Sequence, residues 1–453
     1  MSSETERLTR EAPTDELAAF VAALEYDDLP EEAVRLAERC FVDTAGVTYA
    51  GMVEGAGATA ARALPPLVGD GPVTLLGEEG SASVAGGTFI NGTAGHGLDF
   101  DDVSDGMNGH PSVTLVAPTL AVGEAEGASG EDLLAAFVAG FEVECFLAQP
   151  IRPGHYEAGW HPTSTMGTFG SAAAVANLLG LDAGQTAHAL NIAASMAGGL
   201  KRNFGSMTKP MHVGHATRAG VTAATLAAEG FTASHDAITG DQGFLDLFGG
   251  PEPVHMEDAH TPGESWAITE YGVGVKKYPC CYFTHTGITA ASRLVEAHGI
   301  EPADVESVHV VASRGAGDAL KHADPETGLE GKFSMHYTIA SAIARDRVGL
   351  SAFDDGNVDD PEVQAVREKV SFEQDPDVAY GSYRTTVTIE TTDGEHSMTL
   401  DSPPGTHQDP LSDEELREKF LMCVTRSESE ERAEALYEAF DSLRDLEDVR
   451  GLL

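Results

Sequence analysis

Lysine is nearly missing from this chain. Eight are present in 453 residues (Lys201, Lys209, Lys276, Lys277, Lys321, Lys332, Lys369 and Lys419), so 73 acidic residues face 27 lysines and arginines and the formal net charge is -46. A surface so negative repels phosphate backbones and anionic headgroups, which argues against nucleic acid and acidic membranes as partners. Cysteine is also scarce. Cys40, Cys145, Cys280, Cys281 and Cys423 make neither a disulfide framework nor a CxxC metal motif, and a reducing cytoplasm is the expected compartment. No apolar run is expected to be long enough to span a bilayer. The polar, acidic start Met1-Ser2-Ser3-Glu4-Thr5-Glu6 is not expected to be a signal peptide. Gly167-Thr168-Phe169-Gly170 lacks the Lys-Ser/Thr of a phosphate loop and the βαβ frame of a dinucleotide fold. Acidic composition can mean disorder, but here the acids are spread among helical patterns. A folded, highly solvated surface is expected, similar in composition to cytosolic proteins of salt-loving organisms.

Against that background the basic residues that remain are informative. Lys201, Arg202, Lys209, His212, His215 and Arg218 fall in and around the stretch 203–215, Asn-Phe-Gly-Ser-Met-Thr-Lys-Pro-Met-His-Val-Gly-His. Such a cationic island predicts an anion site, with a local salt-bridge cluster as the simpler reading. Pro210 suits the first turn of a helix, and a helix N-terminus attracts carboxylates.

Taken in order, residues 1–13 read as a flexible tail, followed by a helix from Asp15 with Leu17, Phe20, Val21 and Leu24 on one face. A second helix after Pro30 carries Ala33, Leu36, Ala37, Cys40 and Phe41, then a run of small residues that would let helices approach closely. Residues 71–80 read as a short extended or loop region, and 89–102 as a helix running into a loop. Here Asp99, Asp101, Asp102, His96 and His110 lie within fifteen residues. One reading is a metal site. Another is metal-free acid–base chemistry with an Asp orienting a His, and a third is capping and loop hydrogen bonding. No HxH or HExxH spacing supports the metal. Residues 113–126 read as a buried helix, and Ser129-Gly130-Glu131-Asp132 as a capping-box start for the next. His110-Pro111 and His161-Pro162 are both placed to fix an imidazole at a helix entrance. Further helices are expected over 186–196 and from Pro210.

The texture changes near residue 271. Residues 275–285 open a helix carrying Ile288, Ala291, Leu294 and Val295. The vicinal Cys280 and Cys281 read as small packing groups, with a catalytic thiolate as the alternative. Residues 306–312 read as a strand, and Lys332-Phe333-Ser334-Met335-His336-Tyr337 as the start of a helix. The segments 385–391 and 396–400 flank Asp393-Gly394, a hairpin signal. Ser412 then caps a return to acidic helices. The fold class expected is mainly α: a helical domain over 1–270, rejoined by 405–453, and a smaller α+β domain over 271–404.

Five stretches, 96–112, 159–170, 204–212, 277–285 and 332–337, together resemble the MmgE/PrpD family in order and spacing, over nearly the whole chain. That family includes 2-methylcitrate dehydratases, cis-aconitate decarboxylases and an epimerase of iminodisuccinate. The resemblance implies a large all-helical domain plus a smaller α+β lid, a homodimer, and no metal or other cofactor. It implies a small di- or tricarboxylate substrate and a pocket built from Asp99, His110, His161, Lys209, His285 and Tyr337. Of these His110, His161, Lys209, His285 and Tyr337 are the expected catalytic groups, while Asp99, Lys209, His212 and Lys277 are expected to hold substrate. Lysine and histidine can stabilise the enolate-like charge left when an α-proton departs, and a His or the Tyr can move that proton. Dehydration, decarboxylation and epimerisation share a carbanion-like intermediate. Position 103 is Val where the decarboxylase branch has Thr, and the loop 104–109 also differs, so the expectation is a 2-methylcitrate-type dehydratase. Epimerisation of a dicarboxylate is the alternative, with cis-aconitate-type decarboxylation behind it.

Overall fold

The computed structural model describes residues 13–64, 69–251, 253–345 and 347–452. The tail expected over 1–13 lies, apart from Pro13, outside the described residues. The long helices of the first part are α1 (Pro13–Ala23), α2 (Glu31–Met52), α3 (Gly55–Ala63), α4 (Val84–Gly95), α5 (Ser112–Glu126), α6 (Gly130–Ala148), α7 (Pro162–Leu178), α8 (Ala183–Ala194) and α9 (Thr208–Ala228). A two-stranded ribbon, β1 (Val73–Thr74) and β2 (Ser81–Ala82), occupies the stretch read as extended or loop. Helix α7 packs most extensively, against α6 on one side and α9 on the other. Small residues permit this closeness. A Cβ on Gly214 of α9 would lie 2.4 Å from the carbonyl of Phe89 on α4, and one on Gly220 would lie 2.3 Å from Ser171 on α7.

The capping boxes are present at Ser129/Asp132 and Ser412/Glu415. One expectation needs correcting: residues 130–151 are long and apolar enough to cross a bilayer. They form a core helix instead, with Glu142 and Glu144 fully buried and hydrogen-bonded inside the protein.

The later part holds α10 (Tyr282–His298), β3 (Val305–Ser313), α11 (Met335–Ala344), α12 (Pro361–Arg367), β4 (Val370–Asp375), β5 (Thr385–Thr391) and β6 (Gly394–Leu400). The sheet order is β4-β3-β5-β6, with β3 and β4 parallel and the other pairs antiparallel. Strand β4 escaped the sequence reading because only Val370 in it is buried, which leaves no apolar alternation to detect. The hairpin turns one residue earlier than Asp393-Gly394 predicts. Thr391 pairs with Gly394, so Thr392 and Asp393 make the turn and Gly394 takes φ 141°. Helices α13 (Asp413–Val424) and α14 (Glu430–Asp441) return to pack on α2.

The apolar core falls into two large clusters. One joins α1, α2 and α5 through α9 with residues up to Val275 and with 411–452, and the other runs from Cys280 to Ile389. A small third cluster, Val47, Ala50, Leu98, Phe100, Leu350 and Cys423, fastens the turn after α4 to both parts.

Candidate active site

Helix α4 ends at Gly95, and the chain then turns through His96 to Asp102. Asp99 sits at φ 53°, a left-handed conformation that Asp tolerates better than most residues but that still costs on the order of 1 kcal/mol. Four lysines hold this turn. Lys332 donates to the Leu98 carbonyl, Lys276 to the Asp99 carbonyl at 2.8 Å, and Lys419 to the Phe100 carbonyl at 2.8 Å. The Asp99 carboxylate receives Lys209 at 2.5 Å and lies 3.3 Å from Lys276. All four ammonium groups are buried. A buried charge is costly unless it is paired and hydrogen-bonded, and these carbonyls and this carboxylate supply the partners. Half of the lysines in a lysine-poor chain therefore converge on three consecutive residues. Burial raises the Asp99 carboxyl, but Lys209 and Lys276 outweigh it and hold it well below the usual range. Among the described residues Lys332 has no carboxylate partner, and burial pulls it down to about 8.

Two histidines flank the turn from behind and above. His96 Nδ1 hydrogen-bonds to Asp101 Oδ2 at 2.7 Å, and His110 Nδ1 lies 3.2 Å from the same oxygen. His110 Nε2 is 3.9 Å from Asp99 Oδ1. The His110 backbone is held by its N–H donating to Thr163 Oγ1, and Pro111 then caps α5. His161 caps α7, donates its backbone N–H to Gly199 and stacks on His96 at 5.6 Å. Its Nδ1 is 3.2 Å from His212 Nδ1. Burial lowers His96 and His212 to about 4 and His161 well below its ordinary value, so these three rings are neutral at pH 7.

These groups face a cavity of about 320 Å³, at the small end of the ~300–1,000 Å³ range of ligand pockets. The first part of the chain contributes Asp99, His110, His161 and Lys209 to the lining, and the later part contributes Lys276, Cys281, Phe333 and the tyrosines Tyr282, Tyr380 and Tyr383. Tyr156 adds a fourth phenol.

The structure thus brings together four of the expected residues and leaves four outside the cavity lining. His212 stands behind His161. Lys277 is half-exposed and pairs with Glu415 at 3.3 Å; its neighbour Lys276 is the lysine that enters. Adjacent side chains in this irregular stretch point opposite ways, so a Lys-Lys pair delivers one of them to the cavity. His285 is wedged between the rings of Tyr278 and Tyr282, with Nε2 3.2 Å from the Cys280 carbonyl. Tyr337 gives its hydroxyl to the Ala352 carbonyl. The cationic island also disperses. Lys201 lies over Tyr156, Arg218 over Phe89 and His215 against the Met196 carbonyl, so Lys209 is its one member among the cavity-lining residues. The tyrosines went unflagged as a group, since Tyr156, Tyr282 and the Tyr380–Tyr383 pair come from segments far apart in sequence. Cys280 and Cys281 are pushed up by burial to about 12 and about 11, which makes them thiols rather than thiolates at neutral pH.

His96, Asp99, Asp101 and His110 each offer a donor atom within 4.8 Å of the others, the compactness of a cation cage. Asp99 already serves two ammonium groups, and a divalent ion there would face both at close range. Asp102, counted with these acids in the sequence reading, turns away towards the Ser112 N–H and Asp43; burial and then Asp43 push it up to about 7.

The MmgE/PrpD N-terminal domain family matches residues 15–257, and the MmgE/PrpD C-terminal domain family matches residues 278–445. The chain is 27% identical to a cis-aconitate decarboxylase of Homo sapiens, over 97% of this chain and 93% of that protein. It is 28% identical to a cis-aconitate decarboxylase of Mus musculus, over 97% and 92%. A cis-aconitate decarboxylase of Aspergillus terreus is 24% identical over 97% and 95%.

Proposed function

The chain belongs to the MmgE/PrpD family, and from that premise we propose that it is a lyase acting on a small di- or tricarboxylate through a carbanion formed next to a carboxylate. The observation that carries this reading is the pair of buried ammonium groups, Lys209 and Lys276, at one carboxylate of the cavity wall. Each ammonium group carries three N–H donors, so donors remain for a substrate carboxylate beside Asp99. The same charges favour the enolate-like intermediate over the ground state, which is the differential stabilisation that catalysis needs. His161, neutral at pH 7, and His110 lie within the same cavity to move protons. The lining tyrosines supply hydroxyl donors for the remaining carboxylates.

The first reading is dehydration of a hydroxylated acid of the 2-methylcitrate type. One group takes the α-proton, and another protonates the β-hydroxyl as it leaves. Val103 favours it by presenting an apolar side chain to the cavity. The second reading is decarboxylation of a cis-aconitate-type acid, favoured by the names of the relatives. There the C–CO₂ bond breaks and a histidine or tyrosine protonates the carbon. We also propose a homodimer, which sedimentation in molar salt checks.

The test is NMR in D₂O, in high salt with EDTA, on a panel of citrate-, methylcitrate-, aconitate- and aspartate-type acids. A new olefinic signal with loss of water identifies a dehydratase, and loss of CO₂ with deuterium uptake identifies a decarboxylase. Exchange at the α-carbon with no other change would identify an epimerase and overturn the lyase. Activity abolished by EDTA would overturn the metal-independent reading.

A further inference from the structure

Asp101 is not among the cavity-lining residues, yet it stands behind His110 and joins it to His96. Its side chain is fully buried. One oxygen, Oδ2, takes the hydrogen bond from His96 Nδ1 at 2.7 Å and also faces His110 Nδ1 at 3.2 Å. The His96 ring meets His110 edge-on at 4.7 Å and lies nearly parallel to His161, so it is packed against both cavity histidines. Resting on the dehydration reading above, we propose that Asp101 is the positioning residue that makes His110 the proton-abstracting base, and that His96 clamps Asp101 in that role.

A carboxylate only accepts; burial raises the Asp101 carboxyl, while His110 and His96, by charge and hydrogen bonding, bring it well below its ordinary range. The His110 nitrogen that faces this acceptor is Nδ1, at 3.2 Å, so that is where the proposal puts the ring proton. Nε2, on the side of Asp99 and the two ammonium groups, is left with its lone pair. The bare contact between His110 Nδ1 and Asp101 is off the hydrogen-bond line, as catalytic contacts often are before substrate closes the site. In the step itself the α C–H bond breaks and the proton goes to Nε2. The electron pair stays on carbon and spreads into the adjacent carboxylate, which Lys209 and Lys276 face. No oxidant or other co-reactant is needed. His96 donates to the carboxylate from the other side and fixes its rotation, so that Oδ2 stays aimed at both rings.

The experiment has two arms. In the first, the full-length protein labelled with ¹⁵N-histidine is observed without substrate, and the His110 signal is assigned by its loss in His110→Asn. The proposal expects the Nδ1–H tautomer in the native protein. The Nε2–H tautomer, or protons on both nitrogens at neutral pH, overturns it. This arm needs no turnover, so it decides the matter even if the dehydration reading fails. In the second, Asp101→Asn lowers kcat by about 10²–10⁴-fold, leaves KM within a few-fold, and moves the acid limb of the kcat/KM profile to lower pH. In a His110→Ala background the same substitution costs little more, because the two act as a unit. Additive losses, or an unmoved pH profile, would reduce Asp101 to a structural acid and overturn the proposal. If Asp101→Asn fails to fold, His96→Gln, which keeps a donor for the carboxylate, and His96→Leu, which does not, take its place. The proposal expects a larger kcat loss and pH shift in the leucine variant, and equal behaviour overturns it.

Discussion

The two walls of the cavity are built from different chemistry. The wall from the first part of the chain carries Asp99, His110, His161 and Lys209, charge and titratable nitrogen held by buried partners, with Tyr156 and Phe204 as its aromatic rings. The wall from the later part carries Tyr282, Tyr380, Tyr383, Phe333 and Cys281, with Lys276 as its one ammonium. One side is equipped to move protons and stabilise negative charge, the other to shape the space and hydrogen-bond to what fills it. The difference teaches where reaction type and substrate choice should separate. Changes to the first wall should act on kcat, and changes to the second on KM and on selectivity among acids.

The sharpest break comes from Lys209→Ala. It removes one of the two ammonium groups and should lower kcat/KM by roughly 10²–10³-fold, mostly through kcat, in steady-state assays on whichever acid the panel identifies. Next comes acid lability. His96 and His212 have folded values near 4, below those of the unfolded chain. Between about pH 6.5 and 4 the unfolded state therefore binds more protons, and stability is lost as pH falls through that window. Urea midpoints measured from pH 7 to 4 should decline, and His96→Leu should flatten the decline. Tyr383→Phe and Tyr282→Phe test the second wall. Each should raise KM by a few-fold, in line with about 1 kcal/mol for a lost hydrogen bond, while kcat stays within about twofold. A large kcat loss instead would place a proton-transferring group on that wall and erase the contrast. The smallest effect belongs to Lys277→Ala, whose exposed pair with Glu415 is worth ~0–1 kcal/mol and should leave kinetics and thermal stability nearly unchanged.

Much of the helical frame was legible in the sequence. Capping boxes at Ser129 and Ser412 and the His-Pro helix entrances are local chemistry, settled within four residues and independent of what packs against them. That Asp99, His110, His161 and Lys209 belong together was legible only through the family resemblance; residue types alone marked Lys209 within a cationic island and left Asp99 and the histidines open between metal, acid–base and capping readings. Lys276 was hidden by its neighbour: composition flags both lysines of a pair, and only the packed backbone decides which one turns inward. His285 and Tyr337 lie close in sequence to cavity residues, but their polar atoms go to the Cys280 and Ala352 carbonyls. Strand β4 lacked an apolar pattern because, Val370 apart, its side chains are only half-buried or exposed.

By itself the sequence determined that this is an acidic, mainly helical protein with its cations held back for a few places. It could do so because charge, capping and periodicity are properties of the chain over short distances. Only the tertiary structure decided what those cations are for. Lys209, Lys276, Lys332 and Lys419 come from positions spread over 211 residues of chain and meet at the 98–100 turn. Their meeting is set by the packing of α4, α9, α13 and the later part of the chain around them, and a buried ammonium group can stay charged only where such packing delivers an oxygen to it.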